Sequence, residues 1–419
     1  MNKHRYSLLD LYAGCGGLSL GLKAAGMTVT WANEIWGPAA TTYRAVHPDV
    51  PLVSIRSEDV LSEMLAKDSK LPRSGEIDIV IGGPPCQGFS GWNRYRHAFD
   101  PRNSQVEIFA QIVIHLRPAV ALMENVTGIL SIDNGRAIKS LLAGFKENGY
   151  NCVLRVVQAG CYGVPQNRWR VFLFATRIKN ATPRLIDPLH SFPRTVVFNA
   201  TQFRECVVRP TPPEADTLGL SLQYLSVSDA ISDLPAIENG EGKNRTLCTS
   251  PRSAFQKFLA ANGDPLADHD CIKLGRLNME RVRALPPNSG QSWVDLPDKL
   301  KPRNLAKGGG RSYDNRFGRL CWDGIFNTIV TKPDPYWGRY LHPEQDRVLS
   351  VRECARAQGF PDSVAFSGAL RERYTQIGNA VPPPLGRALG WSIRTCLGDR
   401  AVLTEMQEYR NAFKARAPS

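Results

Sequence analysis

Apolar positions over the first 180 or so residues follow two alternating rhythms. Residues 8–12, 28–32, 77–81 and 120–123 are short apolar runs, the pattern of strands buried on both faces. Between them, residues 18–25, 39–46, 105–116 and 136–147 repeat apolar side chains at helical spacing. Strand–helix alternation of this kind predicts a largely parallel sheet covered by helices on both faces. Residues 152–159 and 171–176 are β-rich again and flank a turn at 163–165. They predict an antiparallel hairpin that closes one edge of the sheet. The expected fold is therefore α/β, a Rossmann-like mixed sheet with helices on both faces.

Residues 185–345 differ in kind. Proline, glycine, asparagine and aspartate recur, as in 209–213, 286–291 and 307–311, and periodic segments are short. This stretch predicts a smaller, loop-rich lobe with a role of its own. Residues 351–358 and 385–395 are helical once more. The expected organisation is a sheet-bearing domain over 1–184, a second lobe over 185–345, and a segment over 346–419 that returns to the first domain.

Composition narrows the partners. The 419 residues carry 52 Lys and Arg against 39 Asp and Glu, a formal charge of +13. A basic balance is a footprint of nucleic-acid binding, although anionic lipids or acidic proteins also meet basic surfaces. Ten cysteines are scattered without a Cys-x-x-Cys pair. No disulfide framework and no metal site is expected, and a reducing, intracellular compartment fits. No apolar run approaches the roughly 18 residues that a membrane span needs, so no membrane partner is expected.

Five segments carry candidate chemistry. In Asp10-Leu-Tyr-Ala-Gly-Cys-Gly-Gly-Leu-Ser19, Gly14, Gly16 and Gly17 lie between a strand and a helix. Glycine permits a tight turn and a close ligand approach, and an ordinary tight connection reads the same way. Glu34 follows at the end of the second strand, where nucleotide-type folds bind ribose hydroxyls. The loop lacks both Gly-x-Gly-x-x-Gly and a phosphate-loop lysine, which favours a nucleoside without pyrophosphate, such as S-adenosylmethionine. In Gly82-Gly-Pro-Pro-Cys-Gln-Gly-Phe-Ser90, two prolines stiffen the chain before Cys86 at the carboxyl edge of the sheet. A held thiol there suits a nucleophile, and equally a buried packing cysteine. Glu124 begins Glu-Asn-Val at a strand end, either facing the same cleft or opening a solvated loop. Arg168 and Arg170 alternate, so a strand would place them on one face, where they need anionic partners or sit at the surface. The last segment, Gln376-Ile-Gly-Asn-Ala-Val-Pro-Pro-Pro384, puts Asn379 at the start of the final helix or in a plain turn.

Taken in this order, the segments resemble the DNA (cytosine-5) methyltransferase family. Residues 350–362 (Ser-Val-Arg-Glu-Cys-Ala-Arg-Ala-Gln-Gly-Phe-Pro-Asp) add a sixth match. Residues 34–40, 229–235 and 341–345 are most similar to the catalytic domain of eukaryotic maintenance and chromomethylase-type enzymes. The resemblance implies a class I S-adenosylmethionine-dependent methyltransferase fold, with the 185–345 lobe as a target-recognition domain. It implies methyl transfer to carbon 5 of cytosine in double-stranded DNA, with the base flipped out and Cys86 adding to carbon 6. Glu124 would hold and protonate N3, assisted by Arg168 and Arg170. Asp10, Tyr12, Gly14, Gly16, Gly17 and Leu18 would wrap the methionine end of S-adenosylmethionine. Glu34 would take the ribose and Ile35 and Trp36 the adenine. Asp59 and Val60 would meet the adenine amine, and Pro85, Asn379 and Val381 would close the pocket. DNA would meet Gln87, Ser90, Trp92, Arg94, Arg96, Arg311 and Arg316, the last two in a basic stretch that includes Lys301, Arg303, Lys307 and Arg319. The partner expected is duplex DNA and the protein monomeric, placed in the nucleus of a eukaryote or the nucleoid of a bacterium.

Two other readings stay open at this point: a tRNA cytosine-5 methyltransferase on the same fold, and a non-catalytic DNA-binding relative. The first typically carries a short Cys-Phe-Thr signature, which is absent. The second typically loses the Pro-Cys or Glu-Asn-Val segments, which are present.

Trp92 and Tyr95 follow the Cys86 segment, and either suits a wedge in the gap that a flipped base leaves. Trp92→Ala is expected to slow methyl transfer while S-adenosylmethionine binding holds. Unchanged single-turnover rates would rule Trp92 out as the wedge.

Overall fold

The structure is a computed structural model that describes residues 6–85, 104–193, 201–216, 221–242, 250–260, 266–306, 314–332 and 334–414. Five strands run parallel: β1 (Leu8–Leu11), β2 (Trp31–Asn33), β3 (Leu52–Val53), β4 (Ile79–Gly82) and β5 (Val120–Val126). β6 (Asn151–Gln158) and β7 (Trp169–Thr176) form an antiparallel pair, and β7 also lies antiparallel to β5. The order across the sheet is β3-β2-β1-β4-β5-β7-β6. The hairpin thus closes one edge, as the β-rich runs predict, and β7 is inserted between β5 and β6.

Helices α1 (Gly17–Ala24), α2 (Gly37–Val46), α3 (Ser57–Leu65), α4 (Ser104–Leu116) and α5 (Arg136–Glu147) connect the strands. Short helices follow in the loop-rich stretch: α6 (Val227–Ile231), α7 (Ala254–Leu259), α8 (Arg276–Arg283) and α9 (Arg303–Ala306). The chain ends in α10 (Val351–Ala357), α11 (Leu370–Asn379), α12 (Pro383–Cys396) and α13 (Ala401–Lys414). The sequence patterns did not announce β3, α3, α11 or α13. β3 has two residues, too few to show a period. The second strand begins later than its apolar run, because Thr30 spends its hydroxyl on the backbone of Leu8.

Alternate residues of the strands feed two cores. Leu8, Ile79, Ile81, Val120 and Leu122 face one side, with Leu18 and Leu22 of α1 and Leu385 and Leu389 of α12. Leu9, Leu11, Val80, Ala121 and Met123 face the other, with Phe109 of α4 and Phe145 of α5. A period of two on every strand sorts the side chains between these layers. A third core joins the loop-rich stretch to the C-terminal helices, where Val227, Phe255, Leu320 and Ile329 pack with Val351, Phe360 and Ile377.

α1 and α12, more than 360 residues apart in the chain, lie backbone to backbone. A Cβ on Gly21 would fall 2.3 Å from the Pro383 carbonyl oxygen and 2.6 Å from the Arg387 amide nitrogen. A Cβ on Gly390 would fall 2.6 Å from that of Ala25. Only hydrogen at these positions lets the helices close. On an exposed helix face, Gly→Ala stabilises by roughly 1 kcal/mol. Here the sign reverses: Gly21→Ala is expected to destabilise by about 1–3 kcal/mol, the range for overpacking a filled core. Urea denaturation reads this directly, and a stabilised Gly21→Ala protein would refute the close contact.

Candidate active site

A cleft of about 720 Å³ opens where β1, β2, β4 and β5 end at their carboxyl edge. Open α/β sheets hold ligands at this edge, and the volume is that of a small-molecule site.

The loop after β1 reverses the chain through three residues with left-handed backbone: Tyr12 (φ 57°), Gly14 (φ 58°) and Gly16 (φ 85°). Each glycine serves a different neighbour. Gly14 borders the cleft, and a Cβ there would meet nothing within 4 Å. Gly16 faces the protein: a Cβ would fall 2.5 Å from His47 Nε2, whose ring nitrogen lies 3.2 Å from the Gly16 carbonyl. Burial holds that imidazole neutral, its pKa down at about 4, so Nε2 is the nitrogen that carries hydrogen and donates. Gly17 admits the C-terminal segment, since a Cβ would fall 2.5 Å from the Val381 carbonyl oxygen.

Four carboxyl groups line the cleft: Glu58 is partly exposed, and Asp10, Glu34 and Glu124 are each handled differently. Asp10 is buried and accepts from Ser19 Oγ at 2.6 Å. Burial, with the charge of Glu34 adding to it, pushes the Asp10 carboxyl up to about 7 against that hydrogen bond. Glu34 accepts from the Gly14 amide at 2.8 Å and the Trp36 amide at 2.7 Å, one through each oxygen. It therefore staples the glycine loop to the end of β2. Burial raises its pKa as well, opposed by these backbone donors.

Glu124 sits near the end of β5. Opposite it, the register pairs Phe172 of β7, which places Arg170 diagonally on the same face. Arg170 Nε meets Glu124 Oε1 at 2.9 Å. The other oxygen, Oε2, faces Gly83, where a Cβ would stand 3.1 Å away. Burial nevertheless pushes the Glu124 carboxyl above the usual range, with Arg170 and Arg168 pulling it down.

The two arginines thus part company. Arg170 pairs with the carboxylate. Arg168, fully buried just before β7, spends its fork on backbone carbonyls: Ile329 at 3.0 Å, Gly378 at 3.0 Å and Ala380 at 2.9 Å. It clamps the end of α11 and the 328–330 segment to the sheet. An anionic partner was the expectation for both, and Arg168 has carbonyl dipoles in its place.

Asn125, next to Glu124, donates from Nδ2 to the Pro84 carbonyl at 3.1 Å. The end of β5 therefore grips the Pro84-Pro85 turn. Sequence reasoning quoted Asn125 within its segment but gave it no task. Cys86 itself lies outside the described residues, as do Gln87, Ser90, Trp92, Arg94, Arg96 and Arg311. Pro85, the residue bonded to Cys86, lines the cleft.

Leu18, Ile35, Trp36, Asn379 and Val381 also line it, beside Tyr12. Asp59 and Val60 do not: Asp59 is exposed and Val60 lies in a core. Ser57 and Glu58 take that place instead. α3 starts at Ser57, so only its first turn reaches the cleft, and three residues on the helix faces the sheet. Asn379 ends α11 rather than opening the last helix. Ala380 is extended, and prolines 382–384 deny the helix its amide donors. Arg316 is buried rather than on a DNA-facing surface, its guanidinium 4.5 Å from the Tyr336 ring centre. Arg319 is likewise buried, bonded to the carbonyls of His342, Gln345 and Val282 and to Asp346. Among the described residues no cluster of His, Cys, Asp and Glu has metal-site form, and no helix is long and apolar enough to cross a membrane.

A family model described as C-5 cytosine-specific DNA methylase matches residues 6–395. DNA (cytosine-5)-methyltransferase 4 of Arabidopsis thaliana is 36% identical, over 93% of this chain and 28% of its own length. DNA (cytosine-5)-methyltransferase 1 of Gallus gallus is 35% identical, over 94% of this chain and 30% of its own length. The chain thus spans under a third of these curated relatives. A solved structure from E. coli, described as a DNA modification methyltransferase encoded within a prophage, matches with a TM-score of 0.65 at 23% identity. That match covers 94% of this chain and 99% of the other, and shows the same fold.

Arg168→Lys keeps the charge and loses the fork. Two of three charged hydrogen bonds to carbonyls go, at about 1.5–3 kcal/mol each, so stability is expected to fall by roughly 3 kcal/mol or more. A denaturation midpoint equal to that of the parent would show that the clamp bears no load.

Proposed function

The chain belongs to the C-5 cytosine-specific DNA methylase family, and we propose that it transfers a methyl group from S-adenosylmethionine to carbon 5 of a cytosine flipped out of duplex DNA. The observation that carries this reading is the Glu124 carboxyl. It is partly buried, raised in pKa by desolvation, and shares one cleft with the glycine loop, Glu34 and the turn that leads into Cys86.

The cleft suits the donor. Its apolar wall of Leu18, Ile35, Trp36 and Val381 fits an adenosine and a methionine chain, and the open space over Gly14 admits a close approach. Each Glu34 oxygen, with one backbone donor, keeps a lone pair for a ribose hydroxyl. When bound, S-adenosylmethionine supplies an electrophilic methyl group. Asp10, Tyr12, Gly14, Gly17 and Leu18 would hold its methionine end, with Glu58 and Ser57 near the adenine.

The protein's own residues do the rest. Carbon 5 of cytosine is a poor nucleophile. The Cys86 thiolate adds to carbon 6, and Glu124 passes a proton to N3 as electrons move into the ring. Carbon 5 becomes enamine-like and takes the methyl group. Solvent water takes the carbon 5 proton, whose electron pair forms the carbon 5–carbon 6 double bond and expels the Cys86 thiolate, and N3 returns its proton to Glu124. Arg170 holds Oε1 and Oε2 stands toward Gly83, which favours Oε2 as the oxygen that would carry that proton. Asn125 and the two prolines keep the nucleophile's turn in register with the carboxyl. None of the ring atoms is accessible inside a stacked duplex, so the base must leave it. The protein acts in the compartment that holds the DNA.

Glu124→Gln preserves shape and removes the proton. It is expected to slow single-turnover methylation of duplex DNA by about 10²–10⁴-fold, with S-adenosylmethionine affinity unchanged by calorimetry. An unaltered rate would sink the acid role. Labelled methyl groups arriving in tRNA rather than duplex DNA would sink the substrate.

A further inference from the structure

A second pocket lies at the opposite end of α1. The first turn of that helix borders the active-site cleft through Gly17 and Leu18. Its last turn, Lys23 and Ala24, borders a pocket of about 520 Å³ walled by α7, α12 and α13. Eight helical residues, about 12 Å of rise, separate the two.

At the floor of this pocket is Arg387, with 9% of its surface exposed. Three aromatic faces surround its guanidinium: Tyr409 at 4.2 Å, Phe258 at 5.0 Å and Trp391 at 5.3 Å. Among the described residues no carboxylate pairs with it, and its Nε has no hydrogen-bond partner. Its polar neighbour is the Tyr409 hydroxyl, and that group is neutral.

The hydrogen bonding behind Tyr409 settles why. His190 Nδ1 lies 2.7 Å from the Gln223 carbonyl, which can only accept, so Nδ1 donates. Burial keeps the ring neutral, its pKa down at about 4. Nε2 is then an acceptor, and the Tyr409 hydroxyl, 3.0 Å away, donates to it. The oxygen lone pairs of Tyr409 are left for Arg387. Ring faces and a neutral oxygen are weak compensation for a buried cation.

The rim does not cancel the charge. Glu405 is held by Arg394 and the Trp391 indole. Glu408 is exposed, and Lys23 adds a second cation. Phe258 keeps 39% of its surface exposed at the pocket.

We propose that this pocket is a second ligand site, for a compact carboxylate carried on an aromatic or apolar body. The carboxylate meets the unpaired Arg387, and the body lies against Phe258 and Trp391. Arg387 offers a planar fork that matches a carboxylate in two-point geometry. The site faces away from the reactive cleft, so a ligand there does not compete with the methyl donor.

Calorimetry with three probes tests this. 2-Naphthoate is expected to bind with one-to-one stoichiometry. 2-Naphthamide, which lacks the charge, and inorganic phosphate, which lacks the body, should each bind about tenfold more weakly or worse. Arg387→Met should weaken naphthoate by about tenfold or more while melting at the same or a higher temperature, because an unpaired buried charge is removed. Phe258→Ala, at a half-open wall, should also weaken it and secures the test if Arg387→Met fails to fold. Saturating naphthoate should leave the S-adenosylmethionine titration unchanged. Equal affinity for naphthoate and naphthamide, binding unaffected by both substitutions, competition with S-adenosylmethionine, or no saturable binding would each overturn the proposal.

Discussion

The close contact between α1 and α12 is the constraint on which the active-site edge depends. Gly21 and Gly390 bring the first helix and the penultimate one together without a side chain between them. That contact delivers the chain just before α12 to the sheet's carboxyl edge, where the Val381 carbonyl rests against Gly17. Arg168 then fixes the delivered segment by its Gly378 and Ala380 carbonyls. The wall that Asn379 and Val381 contribute to the cleft exists because of these two devices, one steric and one hydrogen-bonding.

Electrostatics in the cleft follow a single logic with three outcomes. Asp10, Glu34 and Glu124 are each drawn away from water, which favours the neutral form, while Glu58 stays partly exposed. Asp10 has one hydroxyl donor and is left near neutrality. Glu34 is given two backbone amides, the compensation that a staple between two loops requires. Glu124 is given an arginine on one oxygen only. Its raised pKa amid positive neighbours is what an acid at the ring nitrogen of a base would need. At the far end of α1 the imbalance is reversed in sign, since among the described residues no carboxylate pairs with the Arg387 cation.

The arginines show where one-dimensional reading runs out. Arg168 and Arg170 are two apart, and period two puts them on one face. One lies in β7 diagonal to Glu124, and the other precedes the strand and reaches chain segments 160 and 210 residues away. Arg316 and Arg319 read as surface charges in a basic, glycine-rich stretch. Both are buried, one against an aromatic ring and one in a set of carbonyls. Charge along a chain does not say whether a guanidinium meets solvent, a ring or a backbone dipole. α13 is a miss of another kind: Val402, Met406, Tyr409 and Phe413 recur at helical spacing, a signal that went unread.

The amino-acid pattern was enough to foresee the parallel sheet and the closing hairpin, and to point to the carboxyl edge as the place of the cleft. Short apolar runs bounded by glycine and proline and alternating with helical periods favour strands buried on both faces. It also placed Glu34, Glu124 and the glycine loop at strand ends, which a parallel sheet gathers on one side. Tertiary structure alone decided which turn of α3 lines the cleft, that Asn379 closes a helix rather than opening one, and which arginine guards the carboxyl. These depend on distances between segments far apart in the chain, and local periodicity holds no information about such distances. Only packing of the whole chain fixes them.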